Sequence, residues 1–397
     1  MSRRNKIKKA QGQLRRGQLI TTFGPGSMMD LPEYSVIIGG LDEWKGVEEE
    51  IVELRLLEKL REVHDVADLK LFAPPASHTD PSLPPTNITA WQFPEWYVTQ
   101  DVEVSGSGRD KVRSRKLVNA DALEKRKFND GGVKKSVVPI RFVRACKFGH
   151  IGEIDWYYFT HANSENKSCR RQLYLDELGN SVDLGDVRVR CGCGAHRPLM
   201  DAVGNEVRSL GRCDGARPWL GAYSAEKECP EWNKLLIRSA SNAYFPQKMS
   251  VISLPARDER ISKAVDSVWM FLEAVESEEE VKYERKKDRV NNALDGISNS
   301  EVWDEIQSRK GLVAESKKSV KQAELETLMS VEEEVGNDIP DGDFYAKALP
   351  PSEWSAGWMG GISRVVLVHR LREVVAQVGF TRFEPAATDI ELSLIHI

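Results

Sequence analysis

Apolar residues in the first hundred positions fall in short runs punctuated by glycine and proline. Gln18 to Phe23 is β-prone and runs into Gly24-Pro25-Gly26, and Tyr34 to Ile38 reads as a second strand ending in Gly39-Gly40, so a hairpin or small sheet is predicted to open the fold. Val47, Ile51, Leu54, Leu57 and Leu60 recur at three- and four-residue spacing between charged positions, the stripe of an amphipathic helix expected to cover that sheet. Ala73 to Thr86 holds five prolines and few apolar anchors and reads as a surface loop, after which Trp91, Phe93, Trp96, Tyr97 and Val98 resume a core pattern. Gln100 to Lys135, with SGSGR and interleaved Lys and Arg, is predicted to be an exposed, mobile insertion. Beyond Pro255, the positions Ile261, Val265, Val268, Trp269, Leu272 and Val275 carry a second helical stripe, followed by acids and then bases. A turn-rich stretch, Gly336 to Pro351, precedes a final helical candidate near Val365 to Val378.

The pattern predicts an α+β multidomain fold with a zinc-ribbon-like, β-rich middle region and a mainly helical later third. The expected regions are an N-terminal α/β region at 1–99, a basic flexible insertion at 100–135, a cysteine-rich zinc-binding region at 136–255 and a mainly helical region at 256–391. The last six residues, LSLIHI at 392–397, follow no helix cap and resemble a translated sequencing adaptor, so they read as a non-native tail and the natural chain is expected to continue past about Glu391. At 397 residues the chain is long enough for two or three domains. Ten Trp, twelve Phe and nine Tyr within a 41% hydrophobic composition can close a real interior, which excludes wholesale disorder. No run approaches the ~20 apolar residues of a membrane span, and MSRRNKIKKAQGQLRR lacks the apolar core of a signal peptide. A cytoplasmic protein without a membrane role is expected. In that reducing compartment the six cysteines should be thiols or metal ligands.

A formal net charge of -5 hides a segregation. The first sixteen residues carry seven Lys or Arg and no acid. Arg109 to Arg144 has twelve basic and four acidic residues, a local +8, and Glu273 to Asp343 has ten basic and twenty acidic, a local -10. Such charge reads either as solvated faces and a basic tail or as a phosphate-contacting surface. On the second reading the candidate contacts are Lys111, Arg113, Arg115, Lys116, Lys125, Arg126 and Lys127, with Arg3, Arg4, Lys8 and Lys9 as a flexible arm.

Cys146-Lys-Phe-Gly-His150 gives C-x3-H at an apparent strand end, where Gly149 lets the backbone curl and two side chains converge. Cys191-Gly-Cys193-Gly gives C-x-C in a second tight turn. A structural zinc wants four tetrahedral N or S ligands from two such turns, and Cys146, His150, Cys191 and Cys193 meet that need as a Cys3His set. Cys213, in GRCDG, is an alternative to His150, which would then orient a ligand by hydrogen bonding. Cys169 could also enter, whereas Cys229 reads as an isolated thiol. A filled set leaves no open coordination position, so the site is expected to be structural.

Catalytic signatures are missing. TTFGPGS is glycine-rich, but no Lys-Ser or Lys-Thr follows it as a phosphate-binding loop requires. There is no HExxH, GxSxG or GxGxxG in the expected context. Asp341 and Asp343 in PDGDF lack companions for a magnesium site, and His161, His196 and His369 read as ordinary surface or core histidines.

Several phrases together carry a resemblance: RGQLITTFGPGSMMDLP with IGGLDEW, RACKFGHIGEIDW, CRRQLYLDELG, RCDGARPWLG, and IRSASNAYFPQ running into SVISLP. From Gln18 to about Thr388 the chain resembles the DrmB family, the helicase-associated component of the DISARM anti-phage defence system. The resemblance implies a bacterial cytosolic, non-catalytic partner of a superfamily 2 helicase, DrmA, in a complex that binds incoming phage DNA. That family is larger and carries a further cysteine-rich C-terminal region not found here. A motor in the partner would explain the missing nucleotide site, and a basic surface would hold DNA through phosphates without reading sequence. Two other functions stay open, a metal-dependent nuclease or nucleotide-processing enzyme and a protein-only scaffold.

Overall fold

A computed structural model describes residues 14–385 apart from 33, 76–87, 180–182, 204–207, 222–223, 226–227, 255–260, 262–263, 310–319, 330, 332, 337, 340–341 and 355–360. The expected basic arm at Arg3, Arg4, Lys8 and Lys9, most of the proline-rich loop, Asp341 and the 392–397 tail therefore lie outside the described residues. The described residues divide into two compact units, those within 1–52, 60–249 and 376–397, and those within 53–59 and 250–375. Mixed α and β structure is as expected, β-rich over the first two-thirds and more helical in the later third. No helix among the described residues is long and apolar enough to cross a membrane.

In the first unit, the strand Ser35–Ile38 is buried along its whole length because it pairs on both sides, with Met28–Asp30 and with Ala90–Gln92. The segment expected as a strand before it is instead the short helix Arg16–Thr21. Its one buried residue is Leu19, and the Arg15 N–H donates to Gln18 Oε1 at 3.0 Å. A single apolar position satisfies one helical turn but not an alternating strand face. Phe93, Tyr97 and Val98 are buried core residues, as their pattern predicts. The next helix begins only at Leu54 and runs to His64, with Leu56, Leu57 and Leu60 buried, whereas Ile51 belongs to the short strand Glu50–Ile51 and Leu54 is exposed.

The largest element is an antiparallel nine-stranded sheet. Its order is His196–Pro198, Val187–Cys191, Leu173–Leu178, Val112–Asn119, Trp96–Thr99, Val133–Pro139, Lys127–Asp130 and Leu123–Glu124, with Glu103–Ser105 added beside Val112–Asn119. The segment 100–135 is thus no flexible insertion. It supplies the sheet's central strand, whose apolar period is masked by Arg and Lys side chains that lay their stems along the faces. Leu117 and Cys191 both pair with Leu173, and Leu175 pairs with Val189, so these share one face. That face packs with Trp156 and Phe159 of the helix Trp156–His161 into the main core.

The opposite face carries a smaller apolar cluster of Tyr97, Val118 and Val137, and beside it a polar region organised by a buried carboxylate. Asp176 is 0% exposed and pairs across the strands with Ser114 and Arg188. It accepts from Ser114 Oγ at 2.7 Å, Arg190 Nε at 2.7 Å and Arg188 Nε at 3.2 Å. Burial pushes its pKa up, but the bonds from Arg190, Ser114 and Arg188 outweigh that and hold it below the ordinary value.

The second unit packs Val265, Val268, Leu272, Val281, Val290, Leu294, Val302 and Ile306 into one helical core, so the stripe predicted from Ile261 onward is buried as expected. A three-stranded sheet of Glu334–Gly336, Phe344–Ala348 and Val366–Leu371 completes it. The final helical candidate is two strands, Val366–Leu371 and Glu373–Thr381. Val374, Ala376, Val378 and Phe380 are buried at every second position, the strand period.

Replacing Asp176 by Asn is expected to cost about 1.5–3 kcal/mol of stability at neutral pH, the worth of hydrogen bonds to a charged group. A carboxylate with a depressed folded pKa stabilises above its unfolded value of about 3.9 and loses that contribution as pH falls through the folded value. The deficit of the variant, read by urea unfolding, should therefore shrink below about pH 4; a deficit constant across that range would remove the charge from the account.

Candidate metal centres

The two cysteine turns foreseen in the sequence have the same backbone geometry. At the end of the strand Phe142–Ala145, the Cys146 N–H donates to His150 O at 3.0 Å and the Gly149 N–H to Cys146 O at 3.1 Å. At the end of Val187–Cys191, the Cys191 N–H donates to Ala195 O at 2.7 Å and the Gly194 N–H to Cys191 O at 2.9 Å. Gly149 and Gly194 have φ of 84° and 99°, a conformation that favours glycine.

The structure does not bring these turns to one another. Cys146 and His150 meet Cys213 and Cys229, while Cys191 and Cys193 meet His161 and Cys169, and in each group the four ligand atoms lie within 4.8 Å of one another. The single set of Cys146, His150, Cys191 and Cys193 is therefore corrected to two sets of three cysteines and one histidine. Cys213 joins His150 instead of replacing it, and Cys169 does enter a cluster. Cys229, read as an isolated thiol, and His161, read as an ordinary histidine, are both members. His196 and His369 are not: His196 Nδ1 is 3.2 Å from Gly194 O, and His369 stacks on Tyr345.

The donor sets fit a tetrahedral ion. Sulfurs bound to zinc at about 2.3 Å lie roughly 3.8 Å apart, and the structure places Cys169 and Cys191 Sγ 3.6 Å apart and Cys146 and Cys229 Sγ 4.0 Å apart. All six cysteines are free, and these separations are far beyond a disulfide bond. His150 Nδ1 lies 3.4 Å from Cys146 Sγ. His161 Nδ1 lies 2.7 Å from Tyr157 O and its Nε2 lies 3.3 Å from Cys193 Sγ. A carbonyl only accepts, so Nδ1 carries the proton and the Nε2 lone pair faces the sulfurs, the orientation a metal ligand needs.

Thiol acidity is split within each cluster. A bond from the Cys146 thiol, then His150 and the Gly215 N–H at 3.3 Å, pulls Cys213 down, while that same bond and burial push Cys146 up. In the second cluster the Ala195 N–H, with His161, Cys191 and Cys169, draws Cys193 down to about 6, and burial pushes Cys191 up to about 11. The thiols are sharing protons that a dication would displace. Both clusters could hold a metal ion through a closed set of four ligands, with no coordination position reserved for substrate.

The seven candidate phosphate contacts do not share one surface. Successive strand residues point to opposite faces, which puts Arg113 and Arg115 opposite Lys116 on Val112–Asn119. Lys116 Nζ lies 2.6 Å from Asp130, and Arg115 lies 3.9 Å from Glu177. Lys111 is half-buried just before that strand. Lys125 and Arg126 form the exposed two-residue turn between Leu123–Glu124 and Lys127–Asp130, with φ of 47° and 64°. Arg126 lies 4.6 Å over the Tyr34 ring, and Lys127 is exposed. Asp343, weighed for magnesium, is 2.8 Å from Arg372.

A family model described as "Domain of unknown function (DUF8724)" matches residues 15–245, more than half of the chain and all eight cluster residues. A protein of Bacillus paralicheniformis named "DISARM protein DrmB" is 24% identical over 330 residues, covering 78% of this chain and 54% of that protein. The resemblance to the DrmB family is upheld at that identity. The chain spans about half the length of this curated relative.

Purified protein is expected to release about two metal equivalents per chain on denaturation, the count that two four-ligand sites imply. Cys213→Ser and Cys169→Ser should each reduce this to about one and lower the melting temperature, because metal affinity is coupled to folding. An unchanged metal content in either variant would remove that residue from its cluster.

Proposed function

The chain belongs to the DUF8724 family, and from that premise we propose that it is a non-catalytic, cytoplasmic subunit of a DISARM-type anti-phage assembly. In this reading it partners a superfamily 2 helicase, DrmA, and extends that motor's hold on foreign DNA. The observation that carries the reading is the kinship with a DISARM protein DrmB along 78% of this chain. Two structural zinc ions brace the first unit. The closed ligand sets favour bracing over chemistry, since a catalytic zinc keeps a position open for water or substrate.

DNA is gripped through phosphates, without base reading. The exposed residues best placed for this are Lys127 and Lys134, on the hairpin formed by Lys127–Asp130 and Val133–Pro139, and Lys125, in the turn just before it. Asn129 pairs with Lys134 and Lys127 with Ser136, so Lys127 and Lys134 share a face.

Affinity for duplex and overhang DNA, measured across a salt series with and without the helicase, tests the proposal. Binding should fall steeply with salt and tighten with the helicase. The combined variant Lys125→Glu, Lys127→Glu, Lys134→Glu should flatten the log–log slope by up to about 0.9 for each phosphate that is no longer neutralised. An unchanged slope would exclude this hairpin, and absent binding in every setting would favour a protein-only scaffold.

A further inference from the structure

Arg382 follows the strand Glu373–Thr381 and is buried, 1% exposed, in the first unit. Its Nε donates to Gly149 O at 2.9 Å, one Nη to Ala243 O at 2.6 Å and the other to Gly26 O at 2.6 Å. The guanidinium also lies 5.0 Å from the centre of the Phe380 ring and 5.8 Å from that of Trp219. Among the described residues no carboxylate pairs with it. Carbonyl dipoles satisfy donors but carry no net charge, and a buried cation without a counter-charge is costly.

Tyr244 stacks on the same Phe380 ring that the guanidinium lies over. Tyr244 stays neutral, because burial raises its pKa further from the working range. Gly149, whose carbonyl Arg382 grips, belongs to the Cys146–His150 turn of the first cysteine cluster. A dication held by three thiolates and a neutral imidazole carries one net negative charge. That is equal and opposite to the guanidinium.

We propose that Arg382 is the charge partner of the metal-loaded Cys146, His150, Cys213 and Cys229 cluster, so that loading this site and docking the end of strand Glu373–Thr381 stabilise one another. Arg382 is a positioning residue here, acting on the ligands through the turn it holds and the field it supplies. The inference rests on the reading of that cluster as a metal site. Coupling of this kind is reciprocal: whatever the docked Arg382 adds to metal affinity, the metal adds to docking. It would also tie a residue far along the chain to a turn some 230 positions earlier, as the Arg382–Gly149 separation of 233 records.

The test uses the full chain carrying Cys193→Ser, which leaves the first cluster as the site to be read, loaded with Zn2+ and titrated with a competing chelator; Co2+ loading gives the thiolate charge-transfer band of the same site. Arg382→Gln keeps hydrogen-bond donors but removes the charge, and Arg382→Lys keeps the charge but loses the planar fork. We expect Arg382→Gln to bind zinc about 10- to 100-fold more weakly, the usual effect of removing a group that orients metal ligands, and Arg382→Lys to recover most of the loss. Equal affinity in both variants and the parent, or better rescue by Gln than by Lys, would overturn the proposal. Absence of any metal or charge-transfer band in the parent would instead overturn the site reading itself. If the variants do not fold, amide exchange on the unsubstituted chain decides: stripping the metal should expose residues 376–382 more than the central strand Val112–Asn119, and equal change in both would contradict the coupling.

Discussion

The constraint on which the first unit depends is the sorting of eight cysteine and histidine side chains into two sets that do not mix. Cys146 and His150 open the first set and Cys213 and Cys229 close it; His161, Cys169, Cys191 and Cys193 all lie in the interval between. The sets are therefore nested along the chain. With an ion bound, the inner set would fasten the large sheet, through Cys191 at the end of Val187–Cys191, the second strand from the edge, to the helix Trp156–His161. An ion in the outer set would close the whole interval beside the strand Phe142–Ala145. Cross-links that close long loops remove the most freedom from the unfolded chain, which gives the outer set the larger entropic task and the inner set the local one.

How far this was legible follows from what each signal depends on. Cys146, His150, Cys191 and Cys193 were visible because a glycine three residues after the leading thiol marks a turn that can present it. Partner choice was not visible, because it is made by the fold. Nothing local to His161 marks it as a ligand; its Nδ1 bond to Tyr157 O comes from helical geometry, four residues back. The count of six cysteines and the paired turns did contain a clue, since two complete four-ligand sites need eight ligands and six thiols leave two histidines to find. For the fold, the strand Glu373–Thr381 was readable from the alternation of Val374, Ala376, Val378 and Phe380, and its β-branched residues argue against a helix. Val112–Asn119 was harder, because five of its eight residues are polar or charged and its central place in the sheet is set by partners about sixty residues later.

The closeness of the packing around Phe380 explains why glycines gather there. A Cβ on Gly26 would approach the Phe380 ring to 2.6 Å, and one on Gly149 to 3.3 Å, with both glycines at positive φ. The same ring stacks with Tyr244 and meets Trp219 edge-on. The N-terminal turn, the first cysteine turn and the last described strand thus converge on one aromatic side chain, and the Gly26 and Gly149 carbonyls both face Arg382. Glycine serves close approach at these positions as much as backbone conformation.

Charge along this sequence is a poor guide to charge on its surface, for a physical reason visible in two carboxylates. Asp130 takes Lys116 at 2.6 Å and Lys135 at 2.7 Å, and Asp176 takes Arg188 and Arg190. Each carboxylate meets two cations; Asp130 is already counted in the local +8, but Glu177 lies beside Arg115 and Asp214 beside Arg144, so a stretch that sums to +8 in order of sequence is partly neutralised in space by acids from elsewhere in the chain. What is left for an anionic partner is set by strand alternation and hairpin geometry, which spread Arg113, Arg115 and Lys116 over two faces and leave Lys127 and Lys134 exposed on a hairpin, with Lys125 in the turn before it. A phosphate backbone presents charges at regular intervals and rewards cations on a common face. Any grip on it here would come from those three exposed lysines and not from the whole of the +8 stretch to which they belong.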